Sequence, residues 1–352
     1  MNKILSTLLI IAFLGFNIID IHAGNPDRQG EAGAYELLMN PWARSAGLHT
    51  LTVANISGAE AMNLNVAGLS RLQKSDLMIG YTRYLEGTGI NLNAVAFGQR
   101  MGKAGAFGIS LVNVDFGDIP ITTTYLPGGN GDPFPPNFIN NGIAYSYTFE
   151  NKVSVGILLR GVSESISDLS AFGIAIDAGV QYVTGEKDEF KFGISLKNIG
   201  SPMKFGGEGL SFNSLNPAGD ISYNLTFDER AEDFELPSTL NIGLSYDIYV
   251  GTKHKFTFVG AFVSNSFSRD QLGGGVEYGF NKSFMLRAAY RFGIGDALIE
   301  DVQNNVYSGL SAGVSLLVPM KKGASNKFGI DYAYRVTQPF SGTHNFAIRF
   351  VL

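Results

Sequence analysis

Residues 283–292 read Ser-Phe-Met-Leu-Arg-Ala-Ala-Tyr-Arg-Phe. Phe284, Leu286, Ala288, Tyr290 and Phe292 fall on one side of this run, and Ser283, Met285, Arg287, Ala289 and Arg291 on the other. A strand turns successive side chains to opposite faces, so a period of two gives one apolar and one wet face. The pattern recurs along the chain. Leu240, Ile242, Leu244, Tyr246 and Ile248 oppose Asn241, Gly243, Ser245 and Asp247; Phe190, Phe192, Ile194 and Leu196 oppose Lys191, Gly193, Ser195 and Lys197.

Segments of this kind are expected at 76–86, 90–102, 104–117, 141–150, 152–166, 169–184, 188–199, 237–250, 254–267, 270–280, 283–293, 305–318, 326–336 and 343–352. The first two alternate poorly. The three longest connections, 118–140, 200–236 and 294–304, follow the third, seventh and eleventh segments, whereas those after even segments are short. Long loops at one end and tight turns at the other are the habit of an outer-membrane barrel, whose single-chain bacterial form has an even strand number. The expected fold is therefore all-β: a 14-stranded antiparallel transmembrane β-barrel, apolar face to lipid.

Composition agrees. Glycine supplies 44 of 352 residues, above the usual ~7%. Tyr and Phe number 15 and 26 against one Trp. Cysteine is absent, which excludes disulfides and thiol chemistry. The net charge of −5, without a basic patch, argues against a nucleic-acid partner.

Three domains are expected: a signal peptide at 1–23, a hatch at 24–75 and the barrel at 76–352. Met1-Asn2-Lys3 carries positive charge, Ile4 to Phe16 is mostly apolar, and Ile21-His22-Ala23 ends on a small residue. No later apolar run approaches the ~18 residues of a spanning helix, so entry into a bilayer requires a closed barrel. Residues 25–75 are rich in Ala and Gly and suit a plug or hatch. At the other end Phe346, Ile348, Phe350 and Leu352 alternate to the last residue, as in a C-terminal strand read by barrel-insertion machinery.

No catalytic, cofactor or metal residues are expected. His49, His254 and His344 stand at no metal-ligand spacing, and no serine is expected to act as a nucleophile. The acidic run 228–235 reads as a wet loop. Inward-facing Arg160, Lys191, Lys197, Asp177, Asp247, Glu277, Arg287, Arg291, Asp331 and Arg349 mix both signs, as in a lumen of paired charges. The Pro/Gly-rich stretch 127–136, continued through residue 139, carries Phe134, Phe138 and Ile139 into an outer loop, where they either fold into the barrel mouth or meet a partner.

One stretch carries a family resemblance. Pro41-Trp42-Ala43-Arg44-Ser45-Ala46-Gly47-Leu48 is followed by Ala59-Glu60-Ala61 and Asn65-Val66-Ala67-Gly68-Leu69-Ser70. It resembles the PorV/PorQ family and, more distantly, FadL-like channels, where a run reading roughly Ala-Arg-x-x-Gly-x-Gly precedes Asn-Pro-Ala-Gly-Leu-Ala and then the barrel. Val66 stands where that family has proline, and Leu48-His49 where it often has a small residue and glycine. The motif residues here are Trp42, Arg44, Gly47, Asn65, Ala67 and Gly68. The resemblance implies a barrel in the outer membrane of a Gram-negative bacterium, surrounded by lipid and serving type IX secretion. Its partners would be a larger translocon, attachment proteins or the signal domain of secreted cargo. The FadL-like branch implies instead a channel for hydrophobic small molecules.

Overall fold

The computed structural model describes residues 28, 30–129, 131, 133–216, 223–294, 309–320, 326–337 and 340–352. The expected signal peptide at 1–23 lies outside the described residues. Fourteen antiparallel strands close a barrel. They are β1 (Ser75–Arg83), β2 (Asn91–Met101), β3 (Gly105–Asp115), β4 (Asn137–Phe149), β5 (Val153–Ile166), β6 (Leu169–Thr184) and β7 (Phe190–Gly200). The second half is β8 (Thr239–Val250), β9 (His254–Asn265), β10 (Gln271–Phe280), β11 (Phe284–Gly293), β12 (Gly309–Pro319), β13 (Lys327–Arg335) and β14 (Thr343–Val351). Each strand pairs with its chain neighbours, and β1 pairs with β14, from Asp76 opposite Val351 to Arg83 opposite His344. Closure leaves no strand edge unpaired, as hydrocarbon requires.

Exposure alternates as the side-chain pattern does. In β11, Leu286, Tyr290 and Phe292 are exposed, whereas Arg287 and Ala289 are buried. The exposed rows continue as Ile79 and Tyr81, Ile109 and Leu111, Ile143 and Tyr145, and Ile348 and Phe346. An apolar belt around a closed barrel, buried by nothing in the protein, is the lipid-facing surface.

Strands β1 and β2 alternate in burial as regularly as the rest, although their residues do not alternate in polarity. Their inward positions include Gly80, Ala94, Ala96 and Gly98, which are small instead of polar. The cause is the segment ahead of β1. Residues from Ala32 to Leu72 fold into the lumen as short turns, with helices α1 (Ala43–Ala46) and α2 (Ala61–Leu64) and a 3-10 turn at Val66–Arg71. A barrel this wide needs filling, and this hatch fills it with four apolar clusters, the smallest being Ala43 and Ala46 against Ala333 and Ala347. Met62, Val66, Leu69 and Leu72 pack on Ala94, Ala96 and Leu158. Leu37 joins Tyr84, Phe138, Met203 and Leu236. Leu48, Leu51, Val53 and Ile56 meet Val259 and Ala261. The lumen is thus as much apolar packing as charge.

The third loop corrects the sequence reading. Strand β4 begins at 137, four residues earlier than expected. Phe138 is an inward strand residue, 1% exposed, and Ile139 lies on the strand's outer row; neither enters water as a loop residue. Phe134 is half-buried in a two-residue ladder, with Ile119 opposite Phe134 and Pro120 opposite Pro133, so the proline cluster does not prevent pairing there.

Glycines on the inner wall set how closely the hatch approaches. A Cβ on Gly156 would lie 2.7 Å from the carbonyl carbon of Val66, and one on Gly193 would lie 2.5 Å from Val53 O. Both obstacles are backbone and cannot swing away. Gly156→Val should cost about 1–3 kcal/mol in urea unfolding of the refolded barrel. Gly161→Ala, whose Cβ would meet the Phe172 ring at 3.7 Å, should cost far less. Equal losses would contradict this packing.

Candidate functional site

The hatch has little regular structure, so its backbone carbonyls need partners from elsewhere. The wall supplies them. Asn345 Nδ2 donates to Asn40 O (2.9 Å), Thr82 Oγ1 to Pro41 O (3.2 Å) and Gln181 Nε2 to both Val53 O and Ile56 O (3.0 Å each). Ser195 Oγ donates to Leu64 O (2.8 Å) and Ser146 Oγ to Ala67 O (2.9 Å). These donors come from β14, β1, β6, β7 and β4, so the hatch is tied around most of the ring.

The six motif residues meet in this hatch, each with a definable task. Trp42 is 1% exposed and faces Gly80, where a Cβ would come within 3.2 Å of the indole. The Trp42 backbone N–H donates to Asn40 Oδ1 (3.1 Å), while Asn40 Nδ2 donates to Ser45 Oγ (2.8 Å). Arg44 pairs with Glu60, Nε to Oε2 at 2.7 Å, and donates to Ser57 O (2.8 Å). Glu60 Oε1 accepts from Ser45 N–H (2.8 Å), so one fully buried carboxylate joins the two hatch helices. Gly47 lies against Gly313 of the wall, backbone to backbone. Asn65 Oδ1 accepts from Ala67 N–H (3.2 Å), and its Nδ2 donates to Val53 O (2.9 Å) and Val180 O (3.1 Å). A Cβ on Gly68 would lie 2.2 Å from Ile56 O. Phe134, Phe138 and Ile139 are not part of this assembly of motif residues, though Phe138 packs on the hatch residue Leu37.

Most of the inward charges pair, as their mixed signs suggested. Arg160 meets Asp177, Arg287 meets Glu277, and Arg349 meets Asp331 (3.5 Å). Lys191 and Lys255 share Asp247. Around Arg44, Lys191, Lys255, Arg287 and Arg349 a polar cavity of about 280 Å³ opens at the short-turn end. Among the described residues no group of three or more metal ligands forms. The acidic run is solvated, with Lys204 near Asp233 (3.4 Å) and Arg28 on Glu235 (2.8 Å).

Sequence reasoning overlooked several residues. Gly309-Leu310-Ser311-Ala312-Gly313 does carry the spacing of a nucleophile elbow. It lies along β12, not on a strand-to-helix turn, and the buried Ser311 Oγ donates to Gly47 O (3.3 Å), so Ser311 is a hatch tie. Asn40, Glu60 and Gln181 were also overlooked; a lone acid in a small-residue stretch was the available signal for Glu60. His49 is 1% exposed, and burial first, then Arg291 and Arg335, push its pKa well below the ordinary value.

Two consequences can be measured. Glu60→Ala leaves Arg44 without its buried partner and should destabilise the folded barrel by about 3–5 kcal/mol in denaturant unfolding; an effect below ~1 kcal/mol would contradict the tie. His49 is neutral when folded, whereas its unfolded imidazole takes a proton near pH 6.5. Its contribution is therefore complete above that pH and falls by up to ~1.4 kcal/mol per unit below it. Comparing stability at pH 7 and pH 5, His49→Gln should lose less than the parent chain.

The fold has known counterparts. The CymD monoaromatic hydrocarbon channel aligns with a TM-score of 0.57 at 14% identity, over 88% of this chain and 97% of that one. The Ralstonia pickettii toluene transporter TbuX gives 0.53 at 14%, over 89% and 97%. A Pseudomonas aeruginosa FadL homologue gives 0.50 at 10%, over 88% and 96%. At such identities the likeness is one of fold. No curated protein matches the chain. The family model for type IX secretion system membrane protein PorP/SprF matches residues 57–350, from within the hatch to the last strand. The chain belongs to the PorP/SprF family of type IX secretion system membrane proteins.

Proposed function

We propose that the chain is a non-enzymatic barrel in the outer membrane of a Gram-negative bacterium. In this reading it is a subunit of type IX secretion that docks a larger translocon, an attachment protein or a cargo signal domain through its long outer loops. Family membership supports the secretion role, and the PorV/PorQ-like hatch motif supports its partner-receiving form.

The observation that carries the docking is a hairpin in the loop after β7. Ser211–Leu215 pairs with Asn224–Asp228, placing Phe212 opposite Phe227 and Ser214 opposite Leu225. Opposed residues share a face, so Phe212, Leu225 and Phe227 form one apolar side, with the two rings stacked at 5.8 Å. Tyr223 extends the row, its carbonyl accepting from Asn216 N–H (3.0 Å). Phe212 is 53% and Tyr223 50% exposed. The other side carries Ser211, Asn213, Asn224, Thr226 and Asp228, with Leu215 at the hairpin's far end. The hairpin's root is fixed: Ser170 and Gly206 exchange two backbone bonds (2.9 and 3.0 Å), and so do Met203 and Phe234 (2.8 and 2.9 Å). An amphipathic hairpin on a rigid root, outside the lipid belt, suits a protein partner with an apolar patch.

The runner-up is a FadL-like channel for hydrophobic small molecules, supported by fold likeness and the more distant motif resemblance. Against it stands a lumen packed by the hatch, whose cavity at the short-turn end is lined by arginines and lysines. A photo-crosslinker at residue 212 in cells should yield an adduct with a larger secretion protein or cargo. Combined Phe212→Ser, Leu225→Ser and Phe227→Ser should leave the barrel folded by heat-shifted gel mobility and cut cargo secretion about tenfold or more, as for loss of an interface anchor. Unchanged secretion with the adduct absent would refute the docking role.

A further inference from the structure

The hairpin after β7 is a sheet of two strands, and among the described residues no third strand pairs with either edge. Its hydrogen-bond phase is fixed at both ends: Glu229 N–H donates to Leu210 O (2.9 Å) and Asn216 N–H to Tyr223 O (3.0 Å). Bonded and non-bonded pairs alternate along an antiparallel ladder. Phe212–Phe227 and Ser214–Leu225 are therefore the bonded pairs between those ends. The backbone N–H and C=O groups of Asn224, Thr226 and Asp228 then point away from the neighbouring strand. All three residues are exposed, and the register runs from Asn224 to Asp228 without a bulge.

An exposed edge is a template for pairing with another chain, and proteins that avoid such pairing blunt it with lysine, proline or a bulge. Asn224–Asp228 carries none of these. A two-stranded hairpin is also marginal by itself, and a third strand over an apolar face steadies it. Of the two edges, this one has the chemistry of an occupant beside it. It gives the apolar face Leu225 and Phe227, whereas the other strand gives it Phe212 and Ser214. The chain then runs directly into the acidic stretch, where Asp228, Glu229, Glu232, Asp233 and Glu235 stand against Arg230. Asp233 and Glu235 already face Lys204 and Arg28, which leaves Asp228 and Glu229, nearest the edge, for a partner's cations. A groove of about 530 Å³ at the hairpin's root, lined in part by Phe205, Leu210, Asp228 and Glu229, gives such side chains room.

We propose that the partner adds an extended strand antiparallel to Asn224–Asp228, apolar at alternate residues and led by basic ones. The inference rests on the docking role above and names the chemistry of its partner. In this register the partner's apolar residues lie opposite Leu225 and Phe227 and its cations opposite Asp228 and Glu229, where cross-strand pairs attract. Main-chain bonds along the edge supply the affinity. The probe is the dye-labelled peptide Lys-Lys-Val-Thr-Val-Thr-Val, titrated with the full barrel in detergent and followed by fluorescence anisotropy. Saturable binding is expected. Thr226→Pro removes an outward N–H and should weaken binding about tenfold; Asn213→Pro, on the far edge, should leave it unchanged. Both variants lose the same bond from Thr226 Oγ1 to Asn213 Oδ1 (2.9 Å), so they differ in the edge they block. Methylating the backbone nitrogens of the peptide's two threonines, or replacing its lysines by glutamate, should also cost about tenfold against the unaltered barrel, which keeps the test valid if a proline variant misfolds. Absence of saturable binding, or binding undiminished by Thr226→Pro and by N-methylation, would overturn strand addition. If the adduct at residue 212 still forms in that case, the partner docks on the apolar face without adding a strand; if it does not, the docking role fails as well.

Discussion

Contact between the hatch backbone and the inner wall is the constraint on which the rest of the structure depends. A barrel of fourteen strands is too wide for its own inward side chains to fill. The hatch can fill it only if the wall is smooth where the two backbones meet. That is the purpose of the inward glycines: Gly156 against Val66, Gly193 against Val53, Gly313 against Gly47. Where the wall is not glycine it offers donors, and Gln181, Ser195 and Asn345 satisfy carbonyls that an irregular segment cannot satisfy itself.

This arrangement divides the molecule into parts with separate tasks. The outer rows of Ile, Leu, Tyr and Phe place the barrel in lipid and carry no further information. The inner charges are matched in pairs at most positions, which fixes the wall without giving it a dominant sign. Among the described residues, the surface best suited to recognising a partner is the apolar hairpin after β7.

Most of the barrel was legible because lipid on one side and a wet interior on the other imprint a period of two. Strands β6, β7, β8, β11 and β14 show it plainly. Strands β1 and β2 did not, because the hatch lies over their inward positions and selects Gly80, Ala94, Ala96 and Gly98 by size. Phe138 was misread for a related reason: it is an inward residue covered by the apolar cluster of Leu37 and Met203, and an aromatic beside a proline-rich stretch reads as loop. The hatch motif was visible as a run of residues, but its mechanics were not. The Arg44–Glu60 pair and the Asn65 bridge join residues through three dimensions, and a sequence without its register does not show which carbonyl an amide will reach. The hairpin's apolar face escaped notice because Phe212, Leu225 and Phe227 share a side only once their pairing is known.

The central claim is that the hatch is a fixed filling and that function resides in the outer loops. The chain has no cysteine, so a single introduced pair is unambiguous. Ala46 of the hatch and Ala333 of β13 lie in one buried cluster, and they are the pair to replace. The most direct measurement is cargo secretion by the Ala46→Cys, Ala333→Cys barrel, oxidised and then reduced. The account predicts the same secretion in both states. Secretion lost on oxidation and restored by reductant would show that the hatch must move, and would contradict it.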